Sequence, residues 1–274
     1  MKRFTLPLLV FLVIAIPDFA QQPSPGPPAQ GTGSAERGTG QRRNPFAGQK
    51  RLRALVISGG CCHDYSAQNK ILIDNVAKVL PVDWTVLIEG GSGSDGRVAL
   101  YETPNWANGF DVVVHNECYA NVDDQKLIRQ ITTAHKAGVP ALVIHCSLHS
   151  YRTATIDDWR EFLGVTSKRH TRAHRISVKI DDPQSSIVKG LPAGYTTPVD
   201  ELYVIEKFWP SAKALASAVS PDDPKTSYPV MWTNDYNGTR VFGTSLGHGM
   251  ETWNDAVFQD LLVRAFKWAV KKDQ

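Results

Sequence analysis

Short apolar runs alternate with helix-like stretches through the first half of the chain. The runs are bounded by glycine, proline or polar residues, as is typical of buried strands, and they lie at residues 53–58, 84–88, 110–114 and 141–144. Apolar residues at helical spacing predict helices over residues 66–80 and 122–137, which precede Pro81 and Gly138. Because continuous apolar strands alternate with helices, we predict an α/β fold with a parallel sheet and helices on both faces.

The second half of the chain has a less regular pattern. Alternating residues at 176–180 predict a half-exposed strand, and short apolar runs predict strands at 202–205 and 240–246. Residues 255–271 place their apolar side chains on one helical face, which predicts a closing helix. The sequence shows no internal repeat and no second linker, so we expect one domain over residues 51–274.

Two segments that precede this domain have other compositions. Lys2 and Arg3 stand before an apolar run of 11 residues, and small residues follow it, which predicts a Sec-type signal peptide over residues 1–20. A membrane span needs about 20 apolar residues, so we expect no integral membrane domain. Residues 21–50 hold five Pro and six Gly, and we predict that they form a disordered linker. The protein is therefore expected to be extracytoplasmic, either periplasmic or secreted.

The overall composition excludes several classes of protein. Hydrophobic residues make up 42% and charged residues 21% of the chain, which excludes wholesale disorder, collagen and coiled coil. Residues 1–20 and 21–50 carry net charges of +1 and +3, so the overall charge of +3 leaves −1 for residues 51–274. We therefore predict no nucleic-acid partner. The oligomeric state stays open.

Histidines collect at the ends of predicted strands. Four of the eight follow such strands: His63, His115, His145 and His248. Ligands of parallel α/β sheets bind beyond the carboxyl ends of the strands. Each histidine alone could be structural, but the group predicts a pocket built from several of them.

The four cysteines are Cys61, Cys62, Cys118 and Cys146, and they show no CxxC spacing, so a structural zinc site is not indicated. Adjacent cysteines such as Cys61 and Cys62 have a poor geometry for pairing with each other. Three of the four lie at predicted strand ends, which suggests buried or pocket-lining thiols. Whether a disulfide forms stays open.

Several segments in order resemble one known family, with motifs at residues 55–60, 138–145, 200–203 and 240–249. They resemble the ThuA-like (trehalose utilisation) family of the class I glutamine amidotransferase-like superfamily, over about residues 51–270. The resemblance implies a flavodoxin-like parallel sheet with helices on both faces. It also implies a site at the carboxyl edge of that sheet, in agreement with the histidine pattern.

The resemblance also places histidines where the amidotransferases have their catalytic pair. In those enzymes a strand similar to residues 140–144 precedes a nucleophilic cysteine, whose partner histidine follows the last strand. Here these positions hold His145 and His248, and an imidazole is a base, proton carrier or metal ligand rather than an acyl acceptor. We therefore expect no glutaminase activity. Cys146 is expected to be a small packing residue turned away from His145, and a hydrolase that uses Cys146 and His248 is a lesser alternative.

The resemblance further implies carbohydrate processing, with 3-keto disaccharides or glycosides as the substrates. An acid–base enzyme of this kind, a lyase, isomerase or hydrolase, would use His145, His248 and Glu201. A divalent metal such as zinc could instead be bound by His63, His145 and His248. Substrate contacts are expected from five residues: His63, Asp64, Glu117, Tyr203 and Arg240. The competing hypothesis is a non-catalytic sugar-binding module, against which the number of titrating groups argues.

Overall fold

The computed structural model describes residues 45–273. The predicted signal peptide at residues 1–20 and most of the predicted linker at residues 21–50 lie outside the described residues, and both stay predictions. Within the described part, no helix has both the length and the apolar character that a membrane crossing requires.

The described residues form twelve strands and five α-helices. The strands are β1 (Leu52–Gly60), β2 (Val82–Ile88), β3 (Val112–Cys118), β4 (Ala141–Ile144), β5 (Val165–His170), β6 (His174–Ser177), β7 (Lys179–Ile180), β8 (Thr196–Asp200), β9 (Tyr203–Phe208), β10 (Ala212–Val219), β11 (Ser227–Tyr236) and β12 (Thr239–Thr244). The helices are α1 (Tyr65–Val76), α2 (Gln125–Lys136), α3 (Asp158–Leu163), α4 (Met250–Trp253) and α5 (Ala256–Ala269).

One large sheet organises the domain. Its strand order is β2-β1-β3-β4-β12-β11-β10-β7, and the first five of these strands run parallel. The other three pair antiparallel, while β5–β9 and β6–β8 form two small sheets beside it. The flavodoxin-like α/β fold is thus confirmed. The antiparallel strands β11, β10 and β7 extend one side of this mostly parallel sheet, and the apolar pattern did not indicate their direction.

Alternate residues of the central strands face opposite layers of helices. Val56 and Val114 belong to the core under α1 and α5, whereas Leu55 and Val113 belong to the core under α2 and α3. Both cores consist of fully buried aliphatic and aromatic side chains. The expectation of helices on both faces is confirmed.

Two predicted boundaries move for identifiable reasons. Strand β3 continues to Cys118, because Asn116 pairs with Ser58 and Glu117 with Gly59 of β1. His115 therefore lies inside the strand and not after it. Helix α1 ends at Val76, four residues before the predicted end. A residue that precedes proline disfavours helical dihedrals, and the chain forms a turn before Pro81.

Candidate functional site

Three imidazoles meet at the carboxyl edge of the large sheet. His63 follows β1, His145 follows β4 and His248 follows β12, and their ring centroids lie 5.1 to 5.3 Å apart. One nitrogen of each ring lies within 4.8 Å of one nitrogen of each of the others. We call these three residues the histidine cluster.

Backbone carbonyls fix the orientation of two of these rings. The Nδ1 of His63 lies 3.0 Å from the carbonyl oxygen of His248, and the Nδ1 of His145 lies 2.7 Å from that of Ser245. A carbonyl oxygen only accepts hydrogen bonds, so each Nδ1 must carry the proton. The Nε2 of each neutral ring then carries no proton, and its lone pair can accept a hydrogen bond or bind a metal ion.

Burial keeps these two rings neutral. Desolvation lowers the pKa of His63 to about 4, against a smaller opposing effect of its hydrogen bond to the His248 carbonyl. Burial likewise lowers the pKa of His145 well below its usual value, since only 2% of the residue is exposed. Both imidazoles are therefore unprotonated near pH 7, which is the form that ligates metals.

The backbone turns sharply at His145 to present its side chain. The residue has φ of 45°, in the left-handed region that non-glycine residues rarely adopt, and a 3-10 turn over His145–His149 follows β4. Gly247, which follows β12 with φ of 120°, lies beside His145, and an added Cβ there would be in van der Waals contact with the Cβ of His145. Such strained positions cluster at functional sites, where the surroundings hold them in place.

Glu201 lies among the histidines. Its Oε2 is 3.6 Å from Nε2 of His145 and 3.4 Å from Nδ1 of His248, while Oε1 is 3.5 Å from Nδ1 of His170. Burial raises the pKa of Glu201, and its electrostatic interactions with His248 and His170 oppose this in part. A carboxylate of raised pKa beside imidazoles is suited to proton transfer.

Tyr203 contacts the ring of His145. Its hydroxyl lies 3.3 Å from Nε2 of His145, and its ring stacks on His149 with centroids 3.9 Å apart. His149 is itself buried and lies 2.9 Å, through Nε2, from Oγ of Ser167. The structure thus brings together five predicted residues: His63, His145, His248, Glu201 and Tyr203.

Three residues of the site were missed in the sequence. His149 and His170 lie in the 3-10 turn and in β5, elements that the apolar pattern did not predict. The buried Asp200 accepts hydrogen bonds from the backbone N–H groups of Gly247 and His248, at 2.9 and 3.2 Å. Its position directly before Glu201 was the one signal that could have identified it.

Two predicted substrate-binding residues have structural roles elsewhere. Asp64 is the N-cap of α1 and accepts a hydrogen bond from the backbone N–H of Ala67 at 3.0 Å. Arg240 lies at the start of β12, so the strand itself separates it from the carboxyl edge. Its Nη1 donates to the carbonyl of Trp268 at 2.6 Å and lies 3.6 Å from Asp273. Among the described residues neither side chain has a hydrogen bond or ion pair with the histidine cluster, and their expected contact with substrate stays a prediction.

Glu117 belongs to a separate buried network. Its Oε1 accepts from the hydroxyl of Tyr101 at 2.8 Å and lies 2.9 Å from Nδ1 of His115. The Nε2 of His115 is 3.0 Å from Nε2 of His135 on α2. Because side chains alternate along β3, His115 and Glu117 face the layer of α2 and α3. The expected contact of Glu117 with substrate stays a prediction, since its carboxylate is engaged in this buried network.

All four cysteines are paired. Cys61 is bonded to Cys62, and Cys118 to Cys146. The sequence left disulfide formation open, and the structure pairs even the adjacent Cys61 and Cys62. Cys146, expected to be a small packing residue, is bonded to Cys118. A disulfide sulfur is not a thiolate, so the Cys146–His248 hydrolase lacks its nucleophile in this structure.

The sequence matches the model of a known protein family. A family model described as trehalose utilisation (ThuA) matches residues 53–269. No curated protein matches the sequence significantly.

Solved structures share the fold. A protein named thua-like from Parabacteroides merdae ATCC 43184 aligns with a TM-score of 0.65 and 19% identity, over 81% of this chain and 90% of that chain. Another thua-like protein, from Bacteroides uniformis ATCC 8492, aligns with a TM-score of 0.64 and 17% identity, over 84% of this chain and 95% of that chain. A protein named for a GMP synthase, from Thermoplasma acidophilum, aligns with a TM-score of 0.50 and 13% identity, over 82% of this chain and 99% of that chain.

The family match covers nearly all of the described domain, and the glutamine amidotransferase-like superfamily is consistent with this match and with the thua-like structures. The chain belongs to the trehalose-utilisation (ThuA) family.

Proposed function

We propose that this protein is a carbohydrate-processing enzyme in which the histidine cluster holds a divalent metal ion and Glu201 transfers protons. The observation that carries the proposal is the convergence of three imidazole nitrogens within 4.8 Å of one another. A family linked to trehalose utilisation supports the carbohydrate part of the proposal. Residues 1–20 support an extracytoplasmic location, which we propose with it.

The donor set fits a metal such as zinc. Three neutral histidines are a common ligand set of catalytic zinc, which keeps a further position open for substrate or water. Metal-ligating histidines usually donate their other N–H to a carbonyl or carboxylate, as His63 and His145 do. The Nδ1 of His248 is buried without a hydrogen-bond partner among the described residues, so this ring has a nitrogen to offer. When bound, the ion would act as a Lewis acid on a substrate oxygen.

Glu201 is placed to move a proton beside that position. We propose a 3-keto disaccharide or glycoside as substrate, because a keto group acidifies the hydrogen on the neighbouring carbon. The Glu201 carboxylate would remove that proton, and its raised pKa makes it a stronger base than an exposed glutamate. His170, beside the other carboxylate oxygen, would carry the proton onward. Isomerisation or elimination of the glycosidic substituent can follow from the resulting enediolate.

The test of Glu201 uses a matched pair of substitutions. Glu201→Gln keeps the side-chain shape and removes the base, whereas Glu206→Gln makes the same change at an exposed position of β9. With a 3-keto disaccharide as substrate, we expect Glu201→Gln to lower kcat about 10²- to 10⁴-fold. Glu206→Gln should leave kcat unchanged, and both variants should keep the wild-type melting temperature within a few degrees.

Two results would contradict the proposal. One is a Glu201→Gln variant that turns over the keto-sugar at the wild-type rate. The other is a wild-type protein that is loaded with zinc and yet inert toward keto-disaccharides and keto-glycosides alike.

A further inference from the structure

Four sulfur atoms lie at the same edge of the sheet as the histidine cluster, and the proposed function does not use them. Cys61 and Cys62 follow β1, Cys118 ends β3 and Cys146 follows β4 directly after His145. These three strands are neighbours in the order β1-β3-β4, so their carboxyl ends bring the cysteines together.

The two disulfides touch each other. The Sγ of Cys61 lies 3.7 Å from the Sγ of Cys118, which is van der Waals contact between one atom of each disulfide. Gly60, which precedes Cys61, is paired with Cys118 across β1 and β3. A Cβ on Gly60 would lie within 2.3 Å of the Cys118 carbonyl oxygen, so only glycine permits this approach.

The four sulfurs differ in their access to solvent. Cys62 is exposed, Cys61 and Cys146 are half-buried, and Cys118 is only 3% exposed. Of the four residues, Cys62 is thus the most exposed to a thiol from solution and Cys118 the least. From the exposed Cys62, the bonds and the contact connect the sulfurs in the order Cys62, Cys61, Cys118, Cys146.

We propose that the four cysteines form a second, redox-active site that relays thiol–disulfide exchange from the exposed Cys62 to Cys146, with an external dithiol as the reductant. This site is separate from the metal and acid–base roles proposed above. Its product is a Cys61–Cys118 disulfide with free thiols on Cys62 and Cys146.

Each step of the relay balances. A thiolate of the reductant attacks Sγ of Cys62, which forms a mixed disulfide and expels the Cys61 thiolate. The second thiol of the reductant resolves the mixed disulfide, leaving oxidised reductant and a Cys62 thiol. The Cys61 thiolate attacks Sγ of Cys118, and the Cys118–Cys146 bond breaks. The Cys146 thiolate takes a proton, so two electrons and two protons pass from the dithiol to the protein.

The first experiment maps the product in the wild-type chain. One equivalent of dithiothreitol is added, and the reaction is stopped with acid. N-ethylmaleimide is then added in denaturant, and the peptides are identified by mass spectrometry. We expect maleimide on Cys62 and Cys146, together with a peptide cross-linked between Cys61 and Cys118. Maleimide on Cys61 and Cys62 with Cys118–Cys146 intact would overturn the relay, as would equal labelling of all four.

The second experiment uses two matched variants without reductant. In Cys62→Ser the Cys61 thiol stays beside Cys118, so exchange should release Cys146 and a fraction of the chains should carry maleimide there. In Cys61→Ser the remaining thiol is Cys62, for which the structure shows no contact with Cys118, so Cys146 should stay unlabelled. Equal labelling of Cys146 in both variants, or none in either, would contradict the proposal. The wild-type mapping decides the matter if either variant fails to fold.

Discussion

Asp200 holds together the loops that carry the site. Its carboxylate accepts four hydrogen bonds, from the backbone N–H groups of Glu201, Gly247 and His248 and from the hydroxyl of Thr252. The residue is fully buried, and burial raises the pKa of its carboxyl despite these donors. Asp200 is thus a positioning residue for His248 and Glu201, since it contacts the backbone of both.

Replacing Asp200 should therefore destabilise the fold. Asp200→Asn keeps the size but turns an amide N–H₂ toward donors that need an acceptor, and hydrogen bonds to a charged group contribute about 1.5–3 kcal/mol. We expect the free energy of unfolding to fall by about 2–4 kcal/mol in urea denaturation. The control is Asp74→Asn, which removes an exposed ion-pair partner of Lys70 on α1. This change should alter the free energy of unfolding by under about 0.5 kcal/mol. Equal effects of the two changes would contradict this role of Asp200.

His149 should give stability a specific dependence on pH. Burial first, and then the charges of Arg152 and His170, lower the pKa of His149 to about 3. Below pH 6.5 the unfolded chain takes up a proton at this residue while the folded chain does not, so acidification favours unfolding until about pH 3. At pH 5 this difference amounts to about 2 kcal/mol.

The substitution His149→Gln removes this titration and keeps a polar side chain near Ser167. In urea unfolding, the free energy of unfolding of the wild type should therefore fall by about 2 kcal/mol more than that of the variant between pH 7.5 and pH 5. The other titrating groups are common to both proteins and cancel in the comparison. Parallel pH profiles would contradict this, because they would mean that the pKa of His149 is the same in the folded and unfolded chains.

At the scale of elements, a tight hairpin joins β11 to β12 and delivers His248 to the site. The turn consists of Asn237 and Gly238, with φ of 56° and 81°, as a two-residue loop with both φ positive requires. Farther along β12, a Cβ on Gly243 would lie 2.4 Å from the Trp232 ring of β11. The hairpin thus depends on glycine twice, once for backbone conformation and once for space.

These two glycines should respond differently to alanine. At Gly238 an added Cβ meets nothing within 4 Å, so Gly238→Ala should cost only the left-handed conformation, about 1–2 kcal/mol. Gly243→Ala forces Trp232 or its strand to move, and overpacking of this kind typically costs about 1–3 kcal/mol or more. Because Trp232 is fully buried and donates to the carbonyl of Leu163, we expect the larger loss of unfolding free energy at Gly243. A larger loss at Gly238 would contradict this ranking.

The elements that the sequence predicted best are those buried on both faces. Strands β1 and β4 are continuous apolar runs, and their positions were predicted almost to the residue. Strand β10 is rich in alanine and β11 contains Pro229, which both weaken a strand prediction, so neither was found. The polar end of β3 was missed because its pairing with β1, and not its side chains, keeps it extended.

At the scale of the whole molecule, parallel topology explains why the histidine cluster could be predicted. Strand ends that are remote in sequence must meet at one edge, so counting histidines at those ends identified the three members of the cluster. The fourth histidine counted, His115, lies inside β3 and belongs to the network of Glu117 and His135. Side-chain direction was not predictable in this way, so the sequence did not show that Glu117 joins a buried network with Tyr101 and His115. The sequence pattern also did not show that Arg240 lies at the end of β12 opposite the carboxyl edge. The carbonyl that orients His145 belongs to Ser245, 100 residues away in the chain, and the apolar pattern carries no signal for it.

The central claim is that the cluster binds one divalent ion per chain. The purified protein, treated with chelator and then dialysed against excess zinc followed by zinc-free buffer, should retain close to one zinc per chain by mass spectrometry of the metal. His63→Ala, His145→Ala and His248→Ala should each lower the zinc affinity at least about 10-fold, since each removes one of three ligands. His174→Ala, on β6 and outside the cluster, should keep full stoichiometry. Retention of zinc by all three cluster variants, or no retention by the wild type, would contradict the account.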